Sequence, residues 1–207
     1  MTETLTPTQL EPPISQHTIG PFFPATFFQA GDNDLTRVSA DAAPTTRGEV
    51  ILLRGRVTRE GGTPCVNAIL EAWQPDAAGH FRHPDDPAHA EADPDFLGWG
   101  RAWTDAEGRY EFRTVMPGGY VDSNLRRAPH INLTVMGAGL MRRVQTTVFF
   151  PDFPEANATD PVLTVLPPDL RPRLVMPPAE REDGLRVFRF DIRLRGAEDE
   201  ETPFFED

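Results

Sequence analysis

Residues 186–194 read Arg-Val-Phe-Arg-Phe-Asp-Ile-Arg-Leu. Phe188, Phe190, Ile192 and Leu194 fall on one side of an extended chain, and Arg189, Asp191 and Arg193 fall on the other. That is the period of two expected of a strand with one buried face. The same alternation recurs upstream. Val50–Thr58 (VILLRGRVT) and Asn67–Gln74 (NAILEAWQ) flank a turn at Glu60-Gly61-Gly62. Gly100–Thr104 and Arg109–Val115 flank Asp105-Ala106-Glu107-Gly108, whose glycine can take a positive φ. His130–Met136 and Arg143–Phe150 add two more runs. Short strands, little helical periodicity, and 22 prolines and 16 glycines scattered along the chain predict an all-β fold, a β-sandwich with long loops. One short helix is expected around Asp169–Leu174.

The 207 residues suit one domain. Before Glu49 no period of 2 or 3.6 is sustained, and the apolar residues come in clusters, Ile19-Gly20-Pro21-Phe22-Phe23 and Phe27-Phe28. Phenylalanine pairs in an irregular arm are unfavourable in water, so they are expected to pack on the domain body or on a second chain.

Composition excludes several functions. A net charge of −12 argues against nucleic-acid binding, which needs clustered cations to neutralise phosphates. All 20 basic residues are arginine, which removes Schiff-base lysines and the phosphate-loop lysine. The single Cys65 cannot form an internal disulfide, so nothing asks for an oxidising compartment and a cytoplasmic location is expected. No stretch is apolar enough to span a membrane, and the polar, proline-rich first residues have no signal-peptide pattern.

A series of segments carries a resemblance. They are Gly55-Arg56-Val57, Ala72-Trp73-Gln74-Pro75-Asp76, Gly79-His80-Phe81, Thr104-Asp105 with Gly108-Arg109-Tyr110-Glu111-Phe112, Pro117-Gly118-Gly119-Tyr120, and Arg127-Ala128-Pro129-His130-Ile131-Asn132. In this order and spacing the chain resembles the intradiol ring-cleavage dioxygenases. The resemblance implies a β-sandwich and a mononuclear ferric site of two tyrosines and two histidines, on which a catecholic substrate is attacked by O2. Phenolates suit a hard trivalent ion.

Matched residue by residue, the four ligand positions fall on Phe81, Tyr120, His130 and Asn132. Phe81 has no hydroxyl, and the Asn132 amide is a poor iron ligand. The stretch from Tyr120 to His130 is three residues shorter than in the iron-binding chains, which is expected to misplace Tyr120 relative to His130. Asp122 stands where those chains carry a pocket tryptophan. Tyr110 alternates with Phe112 and reads as packing, while His80, His83 and His89 sit in a proline-rich, charged loop more like a solvated segment than a metal site.

Ligand loss on a kept scaffold is similar to the alpha chains of protocatechuate 3,4-dioxygenases, as are the start Ser15-Gln16, Thr18-Ile19-Gly20-Pro21-Phe22 and the end Phe204-Phe205. This implies a non-metal-binding subunit paired with a homologous beta subunit that holds Fe(III). The enzyme implied cleaves 3,4-dihydroxybenzoate with O2 to 3-carboxy-cis,cis-muconate, in aromatic catabolism. Thr18, Gly20 and Pro21 are then expected to line the partner's substrate pocket. The organisation implied is an N-terminal arm over residues 1–48 packing on the partner chain, a sandwich core over 49–196, and an acidic tail over 197–207. Ala138 replaces an arginine carried by some alpha chains, for which Arg142 or Arg143 could compensate, and Arg127 is either a relic or half of an interface ion pair. Two other readings stay open, an autonomous intradiol dioxygenase using Tyr120 and His130, and a non-enzymatic β-sandwich binding module.

Overall fold

The computed structural model describes Phe23, residues 28–137, Leu140, residues 142–196 and residues 200–205. Thr18, Gly20, Pro21 and Ala138 lie outside the described residues. In chain order the elements are β1 (Val50–Thr58), β2 (Ile69–Trp73), β3 (Trp99–Trp103), β4 (Arg109–Val115), β5 (Tyr120–Asp122), β6 (Leu125–Arg127), β7 (His130–Met136), β8 (Val144–Phe149), α1 (Pro154–Thr159), α2 (Pro161–Val165), β9 (Glu180–Glu182), β10 (Leu185–Arg189) and β11 (Ile192–Arg193).

One sheet is built around β1, with β4 antiparallel on one side and β10 then β11 parallel on the other; β9 closes its edge. The second sheet runs β3-β2-β7-β8, all antiparallel. The alternation read from the sequence decides which side chains meet. Ile51, Leu53, Val57, Phe112 and Phe188 from the first sheet and Leu70, Ala72, Ile131, Leu133 and Val148 from the second form one buried core. Each fully buried large side chain among them contributes roughly 1.5–3 kcal/mol relative to exposure. The fold is therefore the expected β-sandwich.

Residues 186–194 are not one strand. The Phe190 N–H still bonds to the Arg54 carbonyl at 2.8 Å, but its own carbonyl accepts from the Tyr110 hydroxyl at 2.6 Å. The Arg56 N–H then takes the Asp191 carboxylate at 2.9 Å in place of a backbone oxygen, which divides β10 from β11. The alternation survives the break, since Phe188, Phe190 and Ile192 are all buried. Gly55 makes the break sterically feasible, because a Cβ there would lie 1.8 Å from the Phe190 oxygen.

The helix expected around residues 169–174 is a single 3₁₀ turn at Arg171–Arg173. Two short helices stand elsewhere. α1 and α2 each open with a proline, and they share Asp160, which ends the first and caps the second by accepting from the Val162 N–H at 2.9 Å. Helices of six and five residues are too short to show a 3.6 period.

The stretch read as an arm ends, in its described part, on the chain's own sandwich. Leu35 is in the core, its N–H bonds to the Arg113 carbonyl at 2.8 Å, and the Arg101 N–H bonds to the Asp32 carbonyl at 2.8 Å. The tail is also tied down, Phe205 N–H to the Gln145 carbonyl at 2.8 Å and Thr146 Oγ1 to the Pro203 carbonyl at 2.8 Å. Among the described residues no helix is long and apolar enough to cross a membrane.

Candidate functional site

Because β7 turns Ile131 and Leu133 into the core, His130 and Asn132 share its opposite face. What covers that face comes from two loops. Asp76 is buried and accepts N–H bonds from Ala78 and His80, both at 2.9 Å, and from Asp93 at 2.8 Å, which fixes the loop that carries Phe81. The Gly118 N–H bonds to the Asp76 carbonyl at 2.8 Å, and a Cβ on Gly118 would come within 2.5 Å of the Gly79 nitrogen. The second loop can therefore lie directly on the first and deliver Tyr120 beside Phe81.

Tyr120 opens a tight hairpin. β5 and β6 pair antiparallel, with Ser123 and Asn124 at the turn at φ 49° and 67°, as a two-residue type I′ connection requires. Tyr120 is paired with Arg127, and the chain reaches His130 three residues later. The four positions do converge. Phe81 meets the Tyr120 ring edge-on with centroids 5.0 Å apart, Tyr120 and His130 are 5.5 Å apart, and Trp73, the register partner of Asn132, stacks on Phe81 at 5.7 Å. A cavity of about 550 Å3 opens beside Phe81 and Tyr120.

The expected misplacement of Tyr120 does not occur. Its hydroxyl lies 3.4 Å from His130 Nε2, because the hairpin takes up the shorter chain without moving its ends apart. The Ala128 carbonyl lies 2.6 Å from His130 Nδ1 and so fixes the proton there, leaving the Nε2 lone pair toward Tyr120. Burial, and then the Arg127 charge, push the His130 pKa down to about 4. Burial raises the Tyr120 phenol, against the opposing effect of Arg127.

Arg127 is the cation of the site. Its Nε bonds to Asp160 Oδ2 at 3.0 Å, its Nη1 lies 3.5 Å from the Tyr120 hydroxyl, and its guanidinium sits 5.8 Å from the Tyr120 ring centroid. Asp160 is fully buried and also accepts from the Ala128 N–H at 2.9 Å. Arg127 thus has its ion-pair partner within its own chain. Asp160 was not singled out in the sequence. Its only local signal is an Asp before Pro161, and nothing there shows that it reaches back to Arg127.

Would these residues hold ferric iron? They offer two donors, Tyr120 Oη and His130 Nε2. Phe81 has none, and the Asn132 Oδ1 already accepts from Thr147 Oγ1 at 2.8 Å. The set does not fit the metal. Tyr110 offers no replacement, being buried with its hydroxyl committed to Phe190. His80, His83 and His89 lie on a loop where the nearest acids are Glu91, 3.9 Å from His80, and Asp85, 3.7 Å from His83. Among the described residues no group of three or more His, Cys, Asp or Glu is placed to hold a metal ion.

Comparison with known proteins agrees with this scaffold. The sequence profile described as "Dioxygenase" matches residues 19–196. The chain belongs to the intradiol dioxygenase family. It is 40% identical over 171 residues to the protocatechuate 3,4-dioxygenase beta chain of Burkholderia cepacia, covering 80% of this chain and 72% of that one. It is 39% identical over 167 residues to the alpha chain from the same organism, covering 80% and 81%. Among solved structures it resembles the dioxygenase domain of a carbohydrate-binding fusion from Streptomyces sp. SirexAA-E, with a TM-score of 0.57, 24% identity, and 90% and 100% of the two chains covered. That likeness shows the fold. As an intradiol dioxygenase the chain belongs to a family of ring-cleaving, non-haem iron oxidoreductases.

Proposed function

We propose that this intradiol dioxygenase chain is the alpha, non-iron-binding subunit of a protocatechuate 3,4-dioxygenase, and that a homologous beta subunit holds the ferric ion in an alpha-beta protomer. The substrate in this reading is 3,4-dihydroxybenzoate, cleaved with O2 between its hydroxyls. The observation that carries the proposal is the cluster itself. Phe81, Tyr120 and His130 are in ring contact and Asn132 shares the β7 face of His130, yet only Tyr120 and His130 offer a free donor atom. The similarity to both an alpha and a beta chain supports a pair of like-folded subunits.

In this reading Thr18, Gly20 and Pro21 reach the partner's pocket, where a hydroxyl, a residue without Cβ and a fixed φ suit close approach to a planar ligand. The decisive experiment expresses the chain alone and together with a homologue carrying all four ligands. Iron is expected only in the pair, at one ion per two chains, with ring cleavage confined to the pair. One tightly held iron in the isolated chain, with a phenolate-to-iron charge-transfer band, would overturn the assignment in favour of an autonomous enzyme.

A further inference from the structure

The cavity of about 550 Å3 beside Phe81 and Tyr120 falls in the range of roughly 300–1,000 Å3 usual for small-molecule sites. Aromatic rings line it on more than one side. Trp73, 37% exposed, lies nearly parallel to Phe81 at 12°, Tyr120 stands at 87° to Phe81, and the His83 ring stands at 77° to Trp73. Rings set at right angles form corners, and the face of each aromatic ring carries the negative end of its quadrupole.

The carboxylates of the lining add to that sign. Asp85, Asp86 and Asp122 line the cavity, and no arginine does. Among the described residues the only basic group within ion-pair distance of any of the three is the His83 ring, 3.7 Å from Asp85. Asp86 accepts from the Phe81 and Ala88 N–H groups at 2.7 and 2.8 Å, which holds its charge at the base of the Phe81 side chain. Asp122 lies two residues beyond Tyr120 on β5, so both leave the same face of the hairpin, and its one partner is the neutral Ser123 hydroxyl at 3.0 Å. These neutral donors leave the negative charge in place. Arg127 is not part of the lining, and Asp160 neutralises it at 3.0 Å.

Ring faces with carboxylates at their edge attract a cation and repel an anion. The acids do not converge on one point, and no group of three is placed to hold a metal ion among the described residues. An alkylated ammonium suits such a lining better, because its charge is spread over C–H groups that pack on ring faces.

We propose that this cavity binds a small organic ammonium ion, its alkylated head against Trp73, Phe81 and Tyr120 and its charge offset by Asp86 and Asp122. The site performs no bond chemistry. The assignment does not depend on the subunit role proposed above, since binding is read on the chain alone, whereas iron and ring cleavage are read on the pair.

Choline, titrated into the full-length chain and followed by calorimetry and tryptophan fluorescence, tests it. Saturable binding is expected, with the uncharged isostere 3,3-dimethylbutanol weaker by about tenfold or more. Trp73→Leu should weaken choline by a similar factor, while Trp73→Phe, which keeps a ring face, should retain calorimetric binding. Asp122→Asn, on an exposed turn, should weaken choline severalfold without moving the thermal midpoint. 3,4-Dihydroxybenzoate, an anion, is expected not to compete. The proposal fails if choline shows no saturable binding, if the isostere binds as tightly, or if 3,4-dihydroxybenzoate displaces choline. It fails equally if Asp122→Asn and Trp73→Leu bind choline as the parent does.

Discussion

The Tyr120 hydroxyl and His130 Nε2 lie 3.4 Å apart across a hairpin whose turn residues, Ser123 and Asn124, both have positive φ. Two donors so placed could share one ion. The set is incomplete because of the chemistry at Phe81 and Asn132, which bring no third or fourth donor.

Restoring the missing donors should accordingly restore binding. Phe81→Tyr with Asn132→His is expected to take up ferric iron, and the readouts are metal analysis and a visible phenolate-to-iron absorption that the parent chain lacks. A colourless, iron-free double variant would show that the packing around Tyr120 and His130 keeps the site closed to a trivalent cation.

His130 makes stability depend on pH. Its folded pKa of about 4 lies below the ordinary value of about 6.5, so the unfolded chain binds more protons between these limits. The cost of burying a neutral imidazole is absent above pH ~6.5 and grows as the pH falls toward ~4, reaching on the order of 3 kcal/mol. Tyr120, Arg127 and Asp160 are the polar and charged groups that face it. Urea midpoints of the parent and of His130→Gln, measured from pH 7 to 4, should show a steeper loss in the parent. Parallel curves would mean that His130 titrates normally.

Asp160 neutralises Arg127, holds the Ala128 N–H and caps α2. Asp160→Ala would leave a guanidinium that is 12% exposed without its partner. The expected loss is about 3–5 kcal/mol, with Asp160→Asn milder because it retains the cap. Equilibrium unfolding measures both. A loss below about 1 kcal/mol would place the pair among ordinary surface salt bridges.

Some of this was legible in the sequence and some was not, for physical reasons. Alternation at Val50–Thr58, Arg109–Val115 and His130–Met136 gave strands with the observed bounds, because one face of each is buried and period two records that directly. The hairpin of Tyr120–Arg127 escaped notice because its strands are three residues each, although Ser123-Asn124 is a turn pair. The four degenerate positions could be assigned only by resemblance. Their convergence depends on Gly118 lying against Gly79 and on Asp76 bonding across its loop, contacts between residues distant in the chain. The link from Arg127 to Asp160, 33 residues further on, has no sequence period at all.

The break between β10 and β11 yields the last prediction. At Gly55 the Phe190 carbonyl passes so close that a Cβ would lie 1.8 Å from its oxygen and 2.8 Å from the Tyr110 ring. Backbone stands on one side and a buried ring on the other, so neither can yield as an exposed side chain would. Gly55→Ala is expected to cost at least about 3 kcal/mol, at the upper end of overpacking effects, which for a chain of this size lowers the thermal midpoint by roughly 6–12 °C. Tyr110→Phe removes the hydroxyl that satisfies the Phe190 oxygen and should cost about 1–3 kcal/mol. Both changes act on one carbonyl, so the double variant should lose less than the sum of the two, because a backbone already displaced by the alanine has given up the bond that tyrosine makes. Additive losses, or a Gly55→Ala midpoint within about 2 °C of the parent, would show that the strand can shift freely at Phe190.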